Sequence, residues 1–107
     1  MAEQYLKRKG YKILCKNFRT PFGEIDIVAK NKEMIVFVEV KLRKTGKYGA
    51  PEYAITYYKK MHIIKSAFFY LKKYNNFDKP YRFDVITISS SNIAHYENAF
   101  ESDSLIF

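Results

Sequence analysis

The run GEIDIVAKNKEMIVFVEVKL, residues 23–42, decides how this chain folds. Two β-rich stretches, 24–30 (EIDIVAK) and 34–41 (MIVFVEVK), flank a turn that begins at Asn31-Lys32, which is the pattern of antiparallel neighbours. Side chains alternate across a strand with period two. Glu24 and Asp26 are therefore expected on one face, with Ile25 and Ile27 on the other. Glu39 and Lys41 likewise share a face, opposite Val36, Val38 and Val40. A four-residue turn, Asn31 to Met34, pairs Lys30 with Ile35, Val28 with Phe37 and Asp26 with Glu39. That register sets two carboxylates side by side with a lysine next to them. A two-residue turn at Asn31-Lys32 would set Glu24 opposite Glu39 instead. Either register gathers acids on one face.

Working outward, residues 11–18 (YKILCKNF) read as a strand that joins this pair through the turn Thr20-Pro21-Phe22-Gly23. Residues 2–9 read as a short helix closed by Gly10, with Lys7, Arg8 and Lys9 at the negative end of its dipole. Downstream, residues 42–51 (LRKTGKYGAP) have the composition of an exposed loop. A long helix is expected over about 52–74, with Ala54, Tyr57, Met61, Ile64, Phe68 and Leu71 as its apolar stripe and Asn75-Asn76 as its end. Residues 81–88 (YRFDVITI) form another strand and Ser89–Asn92 a turn. The tail from Ile93 to Phe107 reads as a short strand and then a helical turn. The order α-β-β-β-α-β predicts an α/β fold, a single mixed β-sheet flanked by helices, in one domain spanning 1–107.

Composition narrows the function classes. The 107 residues are 48% hydrophobic and 18% aromatic, which excludes a disordered tail. No run approaches the roughly 20 apolar residues of a membrane helix, and the N-terminus lacks the apolar core of a signal peptide. A cytoplasmic protein with no membrane partner is the expectation. The lone Cys15 offers neither an internal disulfide nor a Cys-based zinc site. Net charge is +8 and unevenly spread. Residues 1–82 hold all 19 basic residues against 7 acids, net +12, and the last 25 residues hold four acids and no Lys or Arg. A basic body of this kind attracts polyanions, nucleic acid first among them.

The acid pair supplies the candidate chemistry. Two carboxylates placed opposite each other repel, and a divalent cation is the known relief. Magnesium takes one or two carboxylates, several waters and a phosphate oxygen, and stabilises charge on a phosphoryl group. An ammonium such as Lys41 beside it would orient the attacking water or offset transition-state charge. Arg43, Lys44 and Lys47, just past Lys41, are the candidates for phosphate contact. Tyr57, Tyr58, Phe68, Phe69 and Tyr70 could stack on bases, although helical spacing places most of them in the core. His62 and His95 read as helix-surface and packing residues, and Arg82 with Asp84 as a structural ion pair.

Together these motifs resemble the YraN family of bacterial proteins, which has a restriction-endonuclease-like fold. The likeness runs through Gly10-Tyr11-Lys12-Ile13-Leu14, Asn17-Phe18-Arg19, Gly23-Glu24-Ile25-Asp26-Ile27-Val28 and Phe37-Val38-Glu39-Val40-Lys41 with Arg43. It continues through Gly49-x-Pro51, Ala54-Ile55-Thr56, Lys59, Arg82-Phe83-Asp84-Val85 and Asn98-Ala99-Phe100. The resemblance implies an Asp…Glu-x-Lys nuclease core like that of restriction enzymes and resolvases. Asp26 and Glu39 would hold Mg²⁺ or Mn²⁺, and Lys41 would work on the attacking water or scissile phosphate. Glu24 would assist, and Lys59 would face the substrate phosphate. The activity implied is phosphodiester hydrolysis on DNA, branched or processed DNA included, by an endonuclease-like hydrolase, with a homodimer suggested by resolvase-like relatives. The alternatives are a catalytically inactive nucleic-acid-binding module of the same fold, or a subunit of a DNA-processing complex. Relatives usually carry a first-helix Glu about six residues before a Tyr-Leu pair. Here that pair is Tyr5-Leu6, and Glu3 falls at a different helical phase.

Overall fold

The computed structural model describes residues 1–43, 55–90 and 92–102. Lys44, Lys47, most of the predicted basic loop, Ala54 and the helical turn expected near the C-terminus lie outside the described residues.

The first helix, α1 (Ala2–Arg8), ends because Gly10 steps into the left-handed region at φ +92. The Gly10 and Tyr11 amides then donate to the carbonyls of Lys7 and Leu6, each at 3.0 Å, which satisfies groups the helix end would leave orphaned. The chain continues into β1 (Lys12–Thr20), β2 (Gly23–Asn31) and β3 (Met34–Leu42), an antiparallel meander. A helix, α2 (Tyr57–Lys73), crosses over to β4 (Tyr81–Ser89), which runs parallel to β3, and β5 (Asn92–Phe100) returns antiparallel to β4. The single five-stranded sheet has the order β1-β2-β3-β4-β5, the mixed α/β sheet the element order predicts. Among the described residues no helix is long and apolar enough to cross a membrane.

The β2–β3 register is that of the four-residue turn, with Asn31 opposite Met34, Lys30 opposite Ile35 and Val28 opposite Phe37. Lys32 supplies the left-handed turn residue at φ +59. Both faces of the sheet are covered. Ile35 and Phe37 pack under α2 with Ile63, Ile64, Ala67 and Leu71. Val36 and Val38 pack on the opposite face with Leu6 of α1, Ile27 and Ile86. A central strand that is apolar on both sides follows directly from MIVFV.

Three expectations need correction. The long helix begins at Tyr57, not 52, because Thr56 is its N-cap: the Thr56 backbone is extended and its hydroxyl accepts the Lys59 N–H at 3.2 Å. The buried stripe of that helix is Ile63, Ile64, Ala67, Tyr70 and Leu71, while Tyr57 and Phe68 are exposed. Two helical phases of this sequence are apolar, and the contact with β2 and β1 selects between them. The helix passes close to Gly23, where an added Cβ would meet the His62 Cβ at 3.4 Å. Finally, the short strand expected from Ile93 is a nine-residue strand, β5, that already includes Asn92 of the expected turn.

Candidate active site

The β2–β3 ladder stops where the acids begin. Its last pair is Ile27 with Val38, and the next residue of β2, Asp26, takes the place of a backbone partner. The Val40 N–H donates to Asp26 Oδ2 at 2.8 Å. On the other side of β2, the β1 pairing runs from Lys16–Ile27 to Phe18–Ile25, and the residue between them, Asn17, is left-handed at φ +52. Both neighbours of β2 are thus irregular at one level. Side-chain alternation slips there too: Ile25 packs in the cluster under α2, whereas Ile27 packs with Leu6 on the α1 face. The expectation that both isoleucines share a face is corrected: the alternation slips at the level where Asn17 turns left-handed and the Asp26 carboxylate, not the β2 backbone, takes the Val40 N–H. The Asp26–Glu39 pair that the register predicts is not formed as a ladder pair, yet the two carboxyls stay close enough for the Asp26 charge to act on Glu39.

Glu39 is buried at 8% exposure. Its Oε2 lies 3.5 Å from Lys59 Nζ of α2. Its Oε1 is fully buried and, among the described residues, has no hydrogen-bond partner. Burial, and then the charge of Asp26, push the Glu39 carboxyl up to about 7, with Lys59 pulling the other way. A buried carboxylate oxygen with no donor is unusual, and it requires either a proton or a cation. Lys41 lies two residues on along the same strand, half-buried and opposite Thr87 of β4. Asp26, Glu39, Lys59 and Lys41 thus come from three elements whose placement follows from the ladder break and the α2 crossover.

The other candidates fall elsewhere. Glu24 sits opposite Arg19 at the strand end and lies 3.4 Å from Arg19 Nε, so its charge is engaged on the rim. The Arg43 amide donates to the Ile88 carbonyl at 2.8 Å, which carries the chain past the end of β3. Lys44 and Lys47 are outside the described residues. His62 is exposed on α2, as expected. Cys15 is half-buried and packs against the cluster under α2.

A second polar cluster was only partly foreseen. Asp84, on β4, is 1% exposed. It accepts both Arg82 Nε and Nη2, at 2.8 and 2.9 Å, His95 Nε2 at 2.7 Å, and the Asn98 N–H at 3.0 Å. Arg82 also donates to the Tyr11 hydroxyl at 2.8 Å, and Tyr5 meets His95 Nδ1 at 3.2 Å. The Arg82–Asp84 ion pair is the one expected. His95 is a hydrogen-bonded partner rather than apolar packing, and it links α1 to the far edge of the sheet.

The raised carboxyl gives a measurable pH dependence. The folded protein holds the Glu39 proton to about pH 7, whereas an unfolded glutamate releases it near 4.5. The contribution to stability is complete below pH 4.5 and is lost as pH rises through 7, by about 3 kcal/mol at most. Urea unfolding in EDTA at pH 5, 6, 7 and 8 should show this decline in the parent and not in Glu39→Gln. Equal slopes in the two proteins would show that Glu39 is not held protonated by its surroundings.

Comparison with known proteins agrees with the resemblance. The family model described as "Uncharacterised protein family UPF0102" matches residues 1–88. A UPF0102 protein of Thermodesulfovibrio yellowstonii is 51% identical over 100 residues, covering 94% of this chain and 88% of the relative. UPF0102 proteins of Persephonella marina and Fervidobacterium nodosum are 48% and 52% identical, covering 95% and 92% of this chain and 88% and 74% of the relatives.

Proposed function

The chain belongs to the UPF0102 (YraN) family, and on that premise we propose that it is a metal-dependent, endonuclease-like hydrolase of restriction-endonuclease-like type that acts on DNA. The observation that carries this reading is the buried Glu39 carboxyl, orphaned at Oε1, beside Asp26 and under Lys59. Such a pair fits a divalent cation, Mg²⁺ or Mn²⁺. Positive charge would partner Oε1 and relieve the repulsion that raises Glu39, and two carboxylates are the protein share magnesium asks for. Among the described residues no third His, Cys, Asp or Glu joins them, so water and substrate oxygens would complete the shell. The cation would supply charge neutralisation at the scissile phosphate.

The chain's own groups do the positioning. The Val40 N–H fixes the rotamer of Asp26. Lys59 holds Glu39 from the helix side while leaving about half of its own side chain open to a phosphate. Lys41 projects beside them from the same strand as Glu39, where its ammonium would orient the attacking water or stabilise the added charge of the transition state. Arg43, Lys44 and Lys47 would hold the flanking phosphates, and the +8 chain would gather DNA electrostatically.

The test is incubation with flapped, branched and linear DNAs in Mg²⁺ or Mn²⁺, with EDTA as control. Metal-dependent products that vanish in Lys41→Ala support the hydrolase. Binding to DNA with no product under any metal would assign the non-catalytic module instead.

A further inference from the structure

Helix α2 opens on Tyr57-Tyr58-Lys59-Lys60 and is built in a way its own stability does not explain. Acidic residues suit the positive end of a helix dipole. The first turn here contains none and carries two lysines instead. Across the whole helix the charged residues are Lys59, Lys60, Lys65, Lys72 and Lys73, with no acid among them. Lys60 lies 5.8 Å over the Phe100 ring, which leaves Lys59, about half exposed, as the charge an external anion would offset. Lys59 already reaches Glu39 at 3.5 Å, so that anion would lie next to the candidate site.

The two tyrosines add a second, independent feature. Tyr57 is 54% exposed and Tyr58 71%. Their ring centroids are 6.3 Å apart at 71°, so the two present differently oriented faces. Two other exposed aromatics carry an ammonium over the ring, with Lys65 5.8 Å over Phe22 and Lys73 5.6 Å over Tyr74, and, among the described residues, Phe77, 60% exposed, stands alone beyond the far end of the helix. Tyr57 and Tyr58 pack on each other and leave large aromatic surfaces to solvent. Exposed aromatic rings interleaved with ammonium groups match a strand that alternates bases with phosphates. They match duplex DNA poorly, because its base faces are hidden in the stack.

We propose that Tyr57 and Tyr58 form a stacking platform for unpaired bases, on a strand whose backbone passes over Lys59 towards Glu39. The inference rests on the reading of Glu39 as part of a DNA-cleaving site. It narrows the substrate class to DNA with an unpaired stretch beside the scissile phosphate. Stacking of one base is worth roughly five- to a hundredfold in affinity, so losing both rings should weaken binding by at least that much.

The experiment measures binding in EDTA at one fixed salt concentration, so that cleavage plays no part. The probes are a fork with single-stranded arms, a single strand and a blunt duplex of the same sequence. Each is fluorescein-labelled, and 2-aminopurine is placed in one arm of the fork. The parent should bind fork and single strand more tightly than duplex and quench the 2-aminopurine. Tyr57→Ala with Tyr58→Ala should lose the fork preference and the quenching while duplex affinity stays put. Tyr57→Phe with Tyr58→Phe should retain both, since the ring and not the hydroxyl is at work. Both residues are exposed, and a matched melting curve checks that the fold is kept. A double-alanine variant that binds the fork as the parent does, or a parent that leaves 2-aminopurine unquenched, overturns the platform. If that happens while the parent cleaves DNA, the platform alone fails. Quenching and fork preference without cleavage under any metal leave the platform standing and remove the hydrolase.

Discussion

Asp26→Asn should abolish the response of the folded protein to Mn²⁺ and with it DNA cleavage. In the parent, a cation bound to Asp26 and Glu39 stabilises the native state by mass action, about 2.7 kcal/mol at a hundredfold excess over its dissociation constant. For a domain of this size that is a rise of about 10 °C or more in melting temperature. Asparagine keeps an oxygen that can accept the 2.8 Å bond from the Val40 N–H, so the splayed ladder at Asp26 need not rearrange. What it removes is a charge. The metal-dependent rise should therefore disappear, and cleavage should fall by at least roughly 10²–10³-fold. Without metal the variant should melt above the parent, because Glu39 no longer ionises beside a second carboxylate and its carboxyl should titrate lower. Melting curves of both proteins with and without millimolar Mn²⁺, run with the cleavage assay, decide the matter. If Mn²⁺ shifts both melting temperatures equally, or neither, the cation does not sit on these residues.

That experiment depends on a juxtaposition the sequence predicts for a reason only partly right. The length of the Asn31–Met34 turn sets the hairpin register, and the period-two geometry of an unbroken β3–β4 ladder keeps Glu39 and Lys41 on one face; both are local properties and both hold. Alternation through Glu24-Ile25-Asp26-Ile27 does not hold. The left-handed Asn17 and the capture of the Val40 N–H by Asp26 are events between strands, invisible to a period-two count within one of them. The phase of α2 is lost for a related reason. Ile63, Ala67 and Tyr70 repeat as regularly as Tyr57, Met61 and Phe68, and only contact with β2 and β1 separates the two sets. The link between Lys59 and Glu39 spans 20 residues and a crossover, so spacing alone could not supply it. The resemblance indicated Lys59 for the site but placed it on phosphate rather than on the carboxylate. The Asp84 cluster hid for the same reason: Tyr5 and His95 meet from positions 90 residues apart. One signal was available, since Arg82-x-Asp84 puts a cation and an anion on one face of an otherwise apolar strand.

Removing Asp84 should be among the most destabilising substitutions this chain can carry. Its carboxylate is buried, and it is the common acceptor for Arg82, His95 and the Asn98 amide. Burial opposes its charge, but His95, Arg82 and the Asn98 N–H outweigh that cost and hold the carboxyl below its ordinary 3.8. Asp84→Ala leaves the Arg82 guanidinium, whose side chain is 16% exposed, with only the Tyr11 hydroxyl and the exposed Glu97 at 3.6 Å, and leaves His95, 3% exposed, with only Tyr5. Breaking a buried pair from one side costs about 3–5 kcal/mol, against a total of about 5–15 for a typical domain. Asp84→Asn keeps the shape and some of the hydrogen bonds, so it should lose less. Because the folded carboxyl is depressed, its contribution is present above pH 3.8 and lost as pH falls through the folded value. The parent should therefore weaken on the acid side, and Asp84→Asn should flatten that limb. Urea unfolding at pH 7 for the three proteins, and across the acid range for parent and Asp84→Asn, reads both effects. A loss below about 1 kcal/mol in Asp84→Ala would mean that the network is dispensable and that packing by Leu6 and Tyr11 alone holds α1 to the sheet.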